Sequence, residues 1–149
     1  MKLKLFAIVF LLSIGFASAL SVDNVHVSPV GPGEEGIISI WLSNDGDDTV
    51  KDVSLNIDFL QEIVPIGSSE GFIDEIKEDE EEEFAFKFKV SNTLLPGTYT
   101  LAYEIKYEED GDDKTQKGDL GIVIFAQPEV QVTVDAQNPV MGNSGNINL

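Results

Sequence analysis

Large apolar or aromatic residues alternate strictly with small or charged ones in two stretches of the chain, residues 84–90 and 99–107. A period of two is that of a β-strand with one buried face and one face in water. Between them, residues 94–98 read Leu-Leu-Pro-Gly-Thr, which contains residues that turn the chain. The pattern predicts two antiparallel strands joined by a corner. The inward residues of the first strand are then Phe84, Phe86, Phe88 and Val90.

Shorter apolar or alternating runs continue on both sides of this pair. Residues 37–43 fit either a central strand covered on both faces or a strand with Ile38, Ile40 and Leu42 inside and Trp41 at a rim. Residues 77–83 are expected to form a charged crossing. The remaining predicted strands cover residues 23–29, 50–59, 72–76 and 114–125. About seven short strands without an amphipathic helix predict an all-β, immunoglobulin-like antiparallel β-sandwich.

The first 19 residues have the plan of a secretory signal peptide. Lys2 and Lys4 precede an apolar run, and Ala17-Ser18-Ala19 supplies the small residues of a cleavage site after Ala19. The run is short for a membrane span, so a cleaved signal helix is favoured over an anchor. The predicted organisation is a signal peptide at 1–19, the sandwich at 20–126, and a linker with the start of a truncated repeat at 127–149.

The predicted second repeat depends on a short internal similarity. Gly33-Glu34-Glu35-Gly36-Ile37-Ile38-Ser39-Ile40 resembles Gly142-Asn143-Ser144-Gly145-Asn146-Ile147-Asn148-Leu149, and Pro-Val precedes both. The spacing between the two is about the length of one immunoglobulin-like domain. We therefore expect the chain to contain the beginning of a second module.

The charge of the chain restricts its partners. The formal net charge is −18, with 27 acidic residues against nine lysines and arginines. Such a surface repels phosphate backbones and anionic lipids, so nucleic-acid binding is excluded as a hypothesis. Membrane attachment is expected only through an uncleaved signal segment or an anchor beyond Leu149. Solubility is the simplest role of the acidity, and attraction of metal ions or of a basic protein is the alternative.

The candidate chemistry is sparse. The chain has no cysteine and a single histidine, His26, which we expect at the surface. Residues 67–71 match a nucleophile-elbow pattern, but no helix pattern follows it, so a plain loop is favoured and no enzymatic activity or cofactor is expected. Two acidic turns offer oxygen ligands for calcium without matching an EF-hand. These calcium candidates are Asp45, Asp47, Asp48, Asp110, Asp112 and Asp113.

The order of these segments resembles the archaeal and bacterial cell-surface repeats described as S-layer-like, or as the NEW3 and CARDB group of immunoglobulin-like domains. The resemblance covers residues 23–126, and residues 78–83 depart from it because related repeats often have a small Pro-Gly-Glu turn there. The position of Tyr99 after Pro96-Gly97 resembles a tyrosine corner. The segments that carry the resemblance are residues 32–36, 42–47, 50–53, 72–76, 84–86, 95–99 and 103–107.

This resemblance implies a non-catalytic structural or adhesion module of a secreted, cell-surface protein, with other surface-layer components as partners. An alternative hypothesis is a secreted filament or assembly subunit. In that case residues 129–149, in which Val130, Val132 and Val134 alternate with polar residues, would add as a strand to a neighbouring subunit.

Overall fold

The structure, a computed structural model, describes residues 19–126. These residues form β-strands and turns without a helix. The predicted signal helix and the predicted second repeat lie outside the described residues. The strands are β1 (Leu20–Val27), β2 (Glu35–Asn44), β3 (Val50–Asp58), β4 (Ile63–Pro65), β5 (Glu70–Ile76), β6 (Glu81–Val90), β7 (Gly97–Glu109) and β8 (Asp112–Ile124).

The eight strands form two antiparallel sheets of four strands each. The first sheet has the order β1-β2-β6-β4, and the second has the order β5-β3-β7-β8. From β2 to β7, each strand lies in the other sheet from the strand before it, whereas β1–β2 and β7–β8 are hairpins within one sheet. Such crossings between sheets are those of immunoglobulin-type sandwiches. The predicted all-β, immunoglobulin-like sandwich is confirmed, with one short strand more than expected.

The core consists of the inward residues of both sheets, as the alternation predicts. Phe84, Phe86, Phe88 and Val90 are all buried, while the residues between them are exposed. In β2 the second of the two interpretations is correct, because Ile38, Ile40 and Leu42 are fully buried and Trp41 is on the outer face. Across from them, the second sheet contributes Val53, Leu55, Ile57, Leu101, Ile105, Leu120, Ile122 and Ile124.

Three details differ from the sequence prediction. The charged crossing is shorter than expected, because residues 81–83 already pair with β2 and only residues 77–80 form the link. The short strand β4 was not predicted, since Ile63-Val64-Pro65 is too brief to show a period. A bulge interrupts the pairing of β3 with β7 between Lys51 and Ser54, where Asp52 has a φ of 49°.

The corner between β6 and β7 is a tyrosine corner, as the sequence indicates. The Tyr99 hydroxyl donates a hydrogen bond of 2.7 Å to the carbonyl oxygen of Leu95. This bond fixes the loop that crosses from one sheet to the other, so the long hairpin β7–β8 starts from a defined position.

Truncating one inward phenylalanine tests which face of β6 is buried. We expect Phe86→Ala to lower the free energy of unfolding by about 3–5 kcal/mol, because it leaves a cavity in the core. Lys87→Ala, on the exposed face of the same strand, should change it by less than about 0.5 kcal/mol. Chemical denaturation measures both, and a loss below about 1 kcal/mol for Phe86→Ala would contradict the assignment.

Candidate functional site

Three acidic turns meet at one end of the sandwich, which we call the acidic end. It consists of residues 44–50, 76–82 and 108–113, and it holds about half of the 27 acidic residues of the chain. Strand pairing brings the turns together, because the start of β3 lies between the end of β5 (Val50 opposite Ile76) and the end of β7 (Lys51 opposite Glu108). Lys77 is the one lysine within these three segments.

Asn44 ties two of these turns to each other. It is fully buried, and its side-chain amide donates hydrogen bonds to the carbonyl oxygens of Asp48 (2.8 Å) and Ile76 (3.0 Å). Its side-chain oxygen accepts a bond from the N–H of Gly46. Its backbone N–H and C=O bond to Glu80 and Asp79 on the link between β5 and β6. One buried polar residue thus satisfies the backbone of both turns.

The calcium candidates lie at this end, but they do not form one cluster. Asp45, Asp47 and Asp48 follow β2, and Asp110, Asp112 and Asp113 surround the tip of the β7–β8 hairpin. Within residues 19–126, no three Asp, Glu, His or Cys side chains lie close enough together to hold a metal ion. The calcium hypothesis therefore stays a prediction of the sequence.

Asp45 is already engaged by neighbouring hydroxyls. Its two carboxylate oxygens accept hydrogen bonds from the Oγ atoms of Ser21 (2.7 Å) and Ser43 (3.0 Å). These bonds favour the charged carboxylate and lower the pKa of Asp45 below its ordinary value. The carboxylate thus links the first strand of the sandwich to the turn after β2.

Aspartate also supplies the strained backbone positions of this end. Among residues 19–126, the non-glycine residues with positive φ are Asp52 (49°), Asp79 (58°) and Asp110 (55°). Aspartate tolerates the left-handed region better than most residues do. Asp110 is followed by Gly111, also left-handed, which is the Asp-Gly combination of a tight hairpin turn. Charge and turn geometry are therefore supplied by the same side chains.

The opposite end of the sandwich is apolar in character. It contains the loops at residues 28–34, 59–62 and 91–96. The last strand of the sandwich, β8, also ends here. Leu95 is 74% exposed and Phe125 is 53% exposed. We call it the exit end. The two ends of the sandwich therefore differ strongly in charge and in exposed apolar surface.

A groove runs between the edge strands β1 and β8, and we call it the β1/β8 seam. Val25, Val27, Leu120, Val123 and Phe125 line it, together with polar backbone and Asp119. Val25 faces inward on β1, yet it is 37% exposed, because the two sheets are not closed here. The described contacts across the seam include the parallel bridge of Val30 with Ile124 and a hydrogen bond from Gln116 Nε2 to the carbonyl oxygen of Leu20.

The outer face of the second sheet carries an ion-paired carboxylate. Glu104 lies between Lys106 and Lys117, and each ammonium is 2.8 Å from one of its oxygens. The hydrogen bond from Lys106, then that from Lys117, lowers the pKa of Glu104 to about 2. The same pair raises the pKa of Lys106. The ion pairs fix the side chains of Glu104 and Lys117, which lie on adjacent strands. With its pKa at about 2, the Glu104 carboxylate is a poor general base at neutral pH.

The histidine of the chain and the serine of the nucleophile-elbow pattern, His26 and Ser68, lie on separate elements. His26 is exposed on β1, opposite Ser39 on the outer face of the first sheet, as expected. Ser68 is in the turn before β5, where its Oγ bonds the backbone N–H and C=O of Glu70. A hydroxyl held in a local turn without a nearby imidazole does not form a nucleophile–base pair.

Asn44 and the β1/β8 seam are not among the features predicted from the sequence. A signal for Asn44 exists, because Asn ahead of Asp-Gly is typical of side chains that bond a turn backbone. The seam has no comparable signal, because it depends on how two edge strands distant in sequence approach each other.

Comparison with known proteins adds information on the fold. No protein-family model matches the chain, and the curated proteins contain no match. The GAE domain of yeast GGA1 is similar in structure, with 12% identity, a TM-score of 0.51, and coverage of 69% of this chain and 97% of that one. The PapD-like domain 7 of human CEP192 also matches, with 10% identity, a TM-score of 0.45, and coverage of 74% of this chain and 87% of that one.

At this level of identity, the likeness to the GGA1 domain establishes the fold alone. The described part of the chain is an immunoglobulin-like β-sandwich domain. In addition, the described residues contain no helix that is both long and apolar enough to span a bilayer.

Removing the Asn44 side chain tests its role at the acidic end. We expect Asn44→Ala to lower the free energy of unfolding by about 2–4 kcal/mol, because the buried bond to the Ile76 carbonyl and the part-buried bond to the Asp48 carbonyl are both lost. Asn24→Ala, at an exposed position on β1, should change the free energy of unfolding by less than about 0.5 kcal/mol. Similar losses for both variants in chemical denaturation would contradict this role.

Neutralising one carboxylate tests the repulsion at the acidic end. Asp79→Asn keeps a residue that tolerates positive φ, and we expect it to raise the melting temperature at low salt by about 2–4 °C. Asp58→Asn, at the far end of β3, should raise it less. The difference should vanish in high salt, which screens exposed charges.

The same melting experiment tests the calcium hypothesis. Millimolar calcium should be compared with sodium chloride of equal ionic strength. A specific calcium site would give an additional rise with calcium, and this rise should be lost in Asp47→Asn or Asp112→Asn. Equal melting temperatures in the two salts would rule out the predicted site.

The ion pair of Glu104 predicts a pH dependence. Because its pKa in the folded protein is lowered to about 2 from an ordinary value of 4.5, its stabilising effect is present above pH 4.5 and is lost as pH falls towards 2. Melting temperatures of the parent and Glu104→Gln should therefore differ near neutral pH and converge near pH 2. A carboxyl resonance of Glu104 that titrates near 4.5 would contradict the ion pair.

Proposed function

We propose that the described sandwich is one non-catalytic module of a secreted, cell-surface protein built from such modules in tandem, of the S-layer-like kind. The observation that carries this proposal is the position of its two chain ends. The chain enters at the acidic end, where Leu20 pairs with Asn44, and leaves β8 at the exit end. Modules with ends on opposite sides join in a line, as in surface arrays of immunoglobulin-like domains.

The internal similarity supports the tandem arrangement, because it keeps the positions that the fold constrains. Gly33 has a φ of 83°, and a Cβ on Gly36 would lie 2.5 Å from the Phe88 ring. Ile38 and Ile40 are fully buried in the core. The corresponding residues of the second segment are Gly142, Gly145, Ile147 and Leu149.

Two of the positions that differ between the two segments, 35 and 37, are exposed in the first, whereas Ser39, whose counterpart is Asn148, is only 8% exposed. Ile37 is exposed, Glu35 is exposed, and both lie on the outer face of the first sheet. Their counterparts are Asn146 and Ser144. Agreement at the glycines and at the two core positions supports a structural repeat.

The surface chemistry favours protein contacts over catalysis. The acidic end repels nucleic acid and anionic lipid, and attracts basic protein surfaces. The exit end and the β1/β8 seam expose Leu95, Phe125, Val123 and Val25. The hydroxyl of Ser68 and the ring of His26 are on separate elements, which gives a hydrolytic reaction no starting point.

The experiment that tests this proposal uses the protein from its source cells. Cell-surface, secreted and cytoplasmic fractions should be probed for the chain, and its peptides mapped on both sides of Leu149. We expect the chain at the surface or in the medium, within a longer polypeptide whose peptides continue past Leu149. Recovery from the cytoplasm with residues 1–19 attached would overturn the proposal.

The β1/β8 seam favours a second candidate function, a secreted assembly subunit. The part of β8 next to the seam, residues 120–124, is uncharged, and an uncharged edge strand is prone to pair with another chain. In this arrangement residues 129–149 of one subunit would add as a strand at the seam of the next.

Sedimentation distinguishes the two candidates. An assembly subunit should form concentration-dependent polymers that are lost on truncation after Ala126 and in Val123→Lys. Val64→Lys is a matched control on the other sheet, because Val64 is 47% exposed and Val123 is 45% exposed. A monomer at all concentrations would contradict the assembly function.

A further inference from the structure

The first described residues are built into the acidic end. Ala19 is 7% exposed, and its carbonyl oxygen accepts a hydrogen bond of 2.8 Å from the N–H of Asp45. Leu20 is 1% exposed and pairs with Asn44. Its carbonyl oxygen accepts a hydrogen bond from Gln116 Nε2, also 2.8 Å. Ala19 is therefore packed into the sandwich.

The turn after β2 is shaped to receive Ala19. A Cβ placed on Gly46 would lie 2.6 Å from the Cβ of Ala19 and 3.3 Å from its Cα. Glycine at this position therefore lets the turn come close to Ala19. Together with the Asp45 hydrogen bond, this makes Ala19 a structural part of the turn.

Cleavage after Ala19, as the Ala17-Ser18-Ala19 sequence predicts, would remove this residue. The N–H of Asp45 would lose its acceptor, and a gap would open beside Gly46. The new charged amine would stand on Leu20, at the first position of β1. The lost hydrogen bond and the lost contact with Gly46 both disfavour the folded state.

We infer that the leader is removed by hydrolysis of the Ala17–Ser18 bond, so that the mature chain keeps Ser18 and Ala19. Gly15 and Ala17 provide small residues at the third and first positions before this bond, which the leader-peptidase pattern requires. Water adds across the bond, leaving a carboxylate on Ala17 and an amine on Ser18. This inference depends on the export that the proposed function requires.

The decisive measurement is the N-terminal peptide of the exported protein. We expect it to begin at Ser18. An exported chain that begins at Leu20, or that keeps residues 1–17, would overturn the inference and leave the proposed export intact. An uncut chain found only in the cytoplasm would overturn the export as well, so the two failures are distinguishable.

Two matched substitutions test which bond is cut. Gly15→Phe places a bulky residue at the third position before the Ala17–Ser18 bond, and it leaves the two positions that define the Ala19–Leu20 cut unchanged. Ala19→Phe removes the small residue directly before the Ala19–Leu20 bond. Because leaders are cut from unfolded chains during export, mass spectrometry reports processing even if the second variant folds poorly. We expect Gly15→Phe to impair processing and Ala19→Phe to leave it intact. The reverse result would overturn the inference.

A double-mutant cycle tests the structural part independently of processing. Chains that begin at Ser18 and at Leu20 should each be made with and without Gly46→Ala. We expect the longer parent to melt about 4–8 °C above the shorter one. Gly46→Ala should lower the melting temperature of the longer chain and have a much smaller effect on the shorter one, because its Cβ meets Ala19. Equal effects in both chains would show that Ala19 is not part of the turn.

Discussion

The pairing of β2 with β6 is the contact on which the rest of the sandwich depends. It runs without interruption from Glu35 opposite Lys89 to Ser43 opposite Glu81, and it places the isoleucines of β2 beside the phenylalanines of β6. At each end of this pairing, a residue of β2 makes a contact that holds one end of the module together. At one end Asn44 connects two acidic turns, and at the other Gly36 lies directly under the Phe88 ring.

The separation of charge from apolar surface follows from this arrangement. Acidic residues are concentrated in turns, where they meet water and where aspartate also tolerates the backbone geometry. Salt weakens the repulsion among these carboxylates. The hydrogen bonds of the buried Asn44 hold the backbones of two acidic turns together against the repulsion that remains. The exit end has few charges and exposes Leu95 and Phe125, which a second protein surface would cover more favourably than water does.

Most of the fold could be predicted from the sequence. In a strand with one buried face, large apolar residues alternate with small or polar ones, and this alternation identifies the inward residues. The inward residues from Phe84 to Val90 follow from it directly. The tyrosine corner at Tyr99 follows instead from the resemblance in the Pro96-Gly97 segment, and the hydrogen bond to Leu95 confirms it. Residues 81–83 were misassigned, because three consecutive glutamates show no alternation although backbone pairing with β2 makes them a strand. The short strand β4 is defined by its partner, not by its own composition.

The candidate site was less predictable, because it depends on contacts between distant segments. The sequence shows the acidic turns at residues 45–48 and 110–113. That they lie at the same end of the sandwich follows from the order of strands in the second sheet, which the amino-acid composition does not specify. The burial of Asn44 depends in the same way on the link between β5 and β6. The contact of Ala19 with Asp45 has no local signal either, because it joins residues far apart in the sequence.

The parallel course of β1 and β8 has a mechanical consequence. The two terminal strands of the domain run side by side in the same direction and are bridged at Val30 and Ile124. A pulling force applied through the two chain ends would therefore act along the strands, and would strain the hydrogen bonds of β1 with β2 and of β8 with β7 together. Rupture would require many bonds to break at once, so tension in a line of such modules would meet high resistance from each of them.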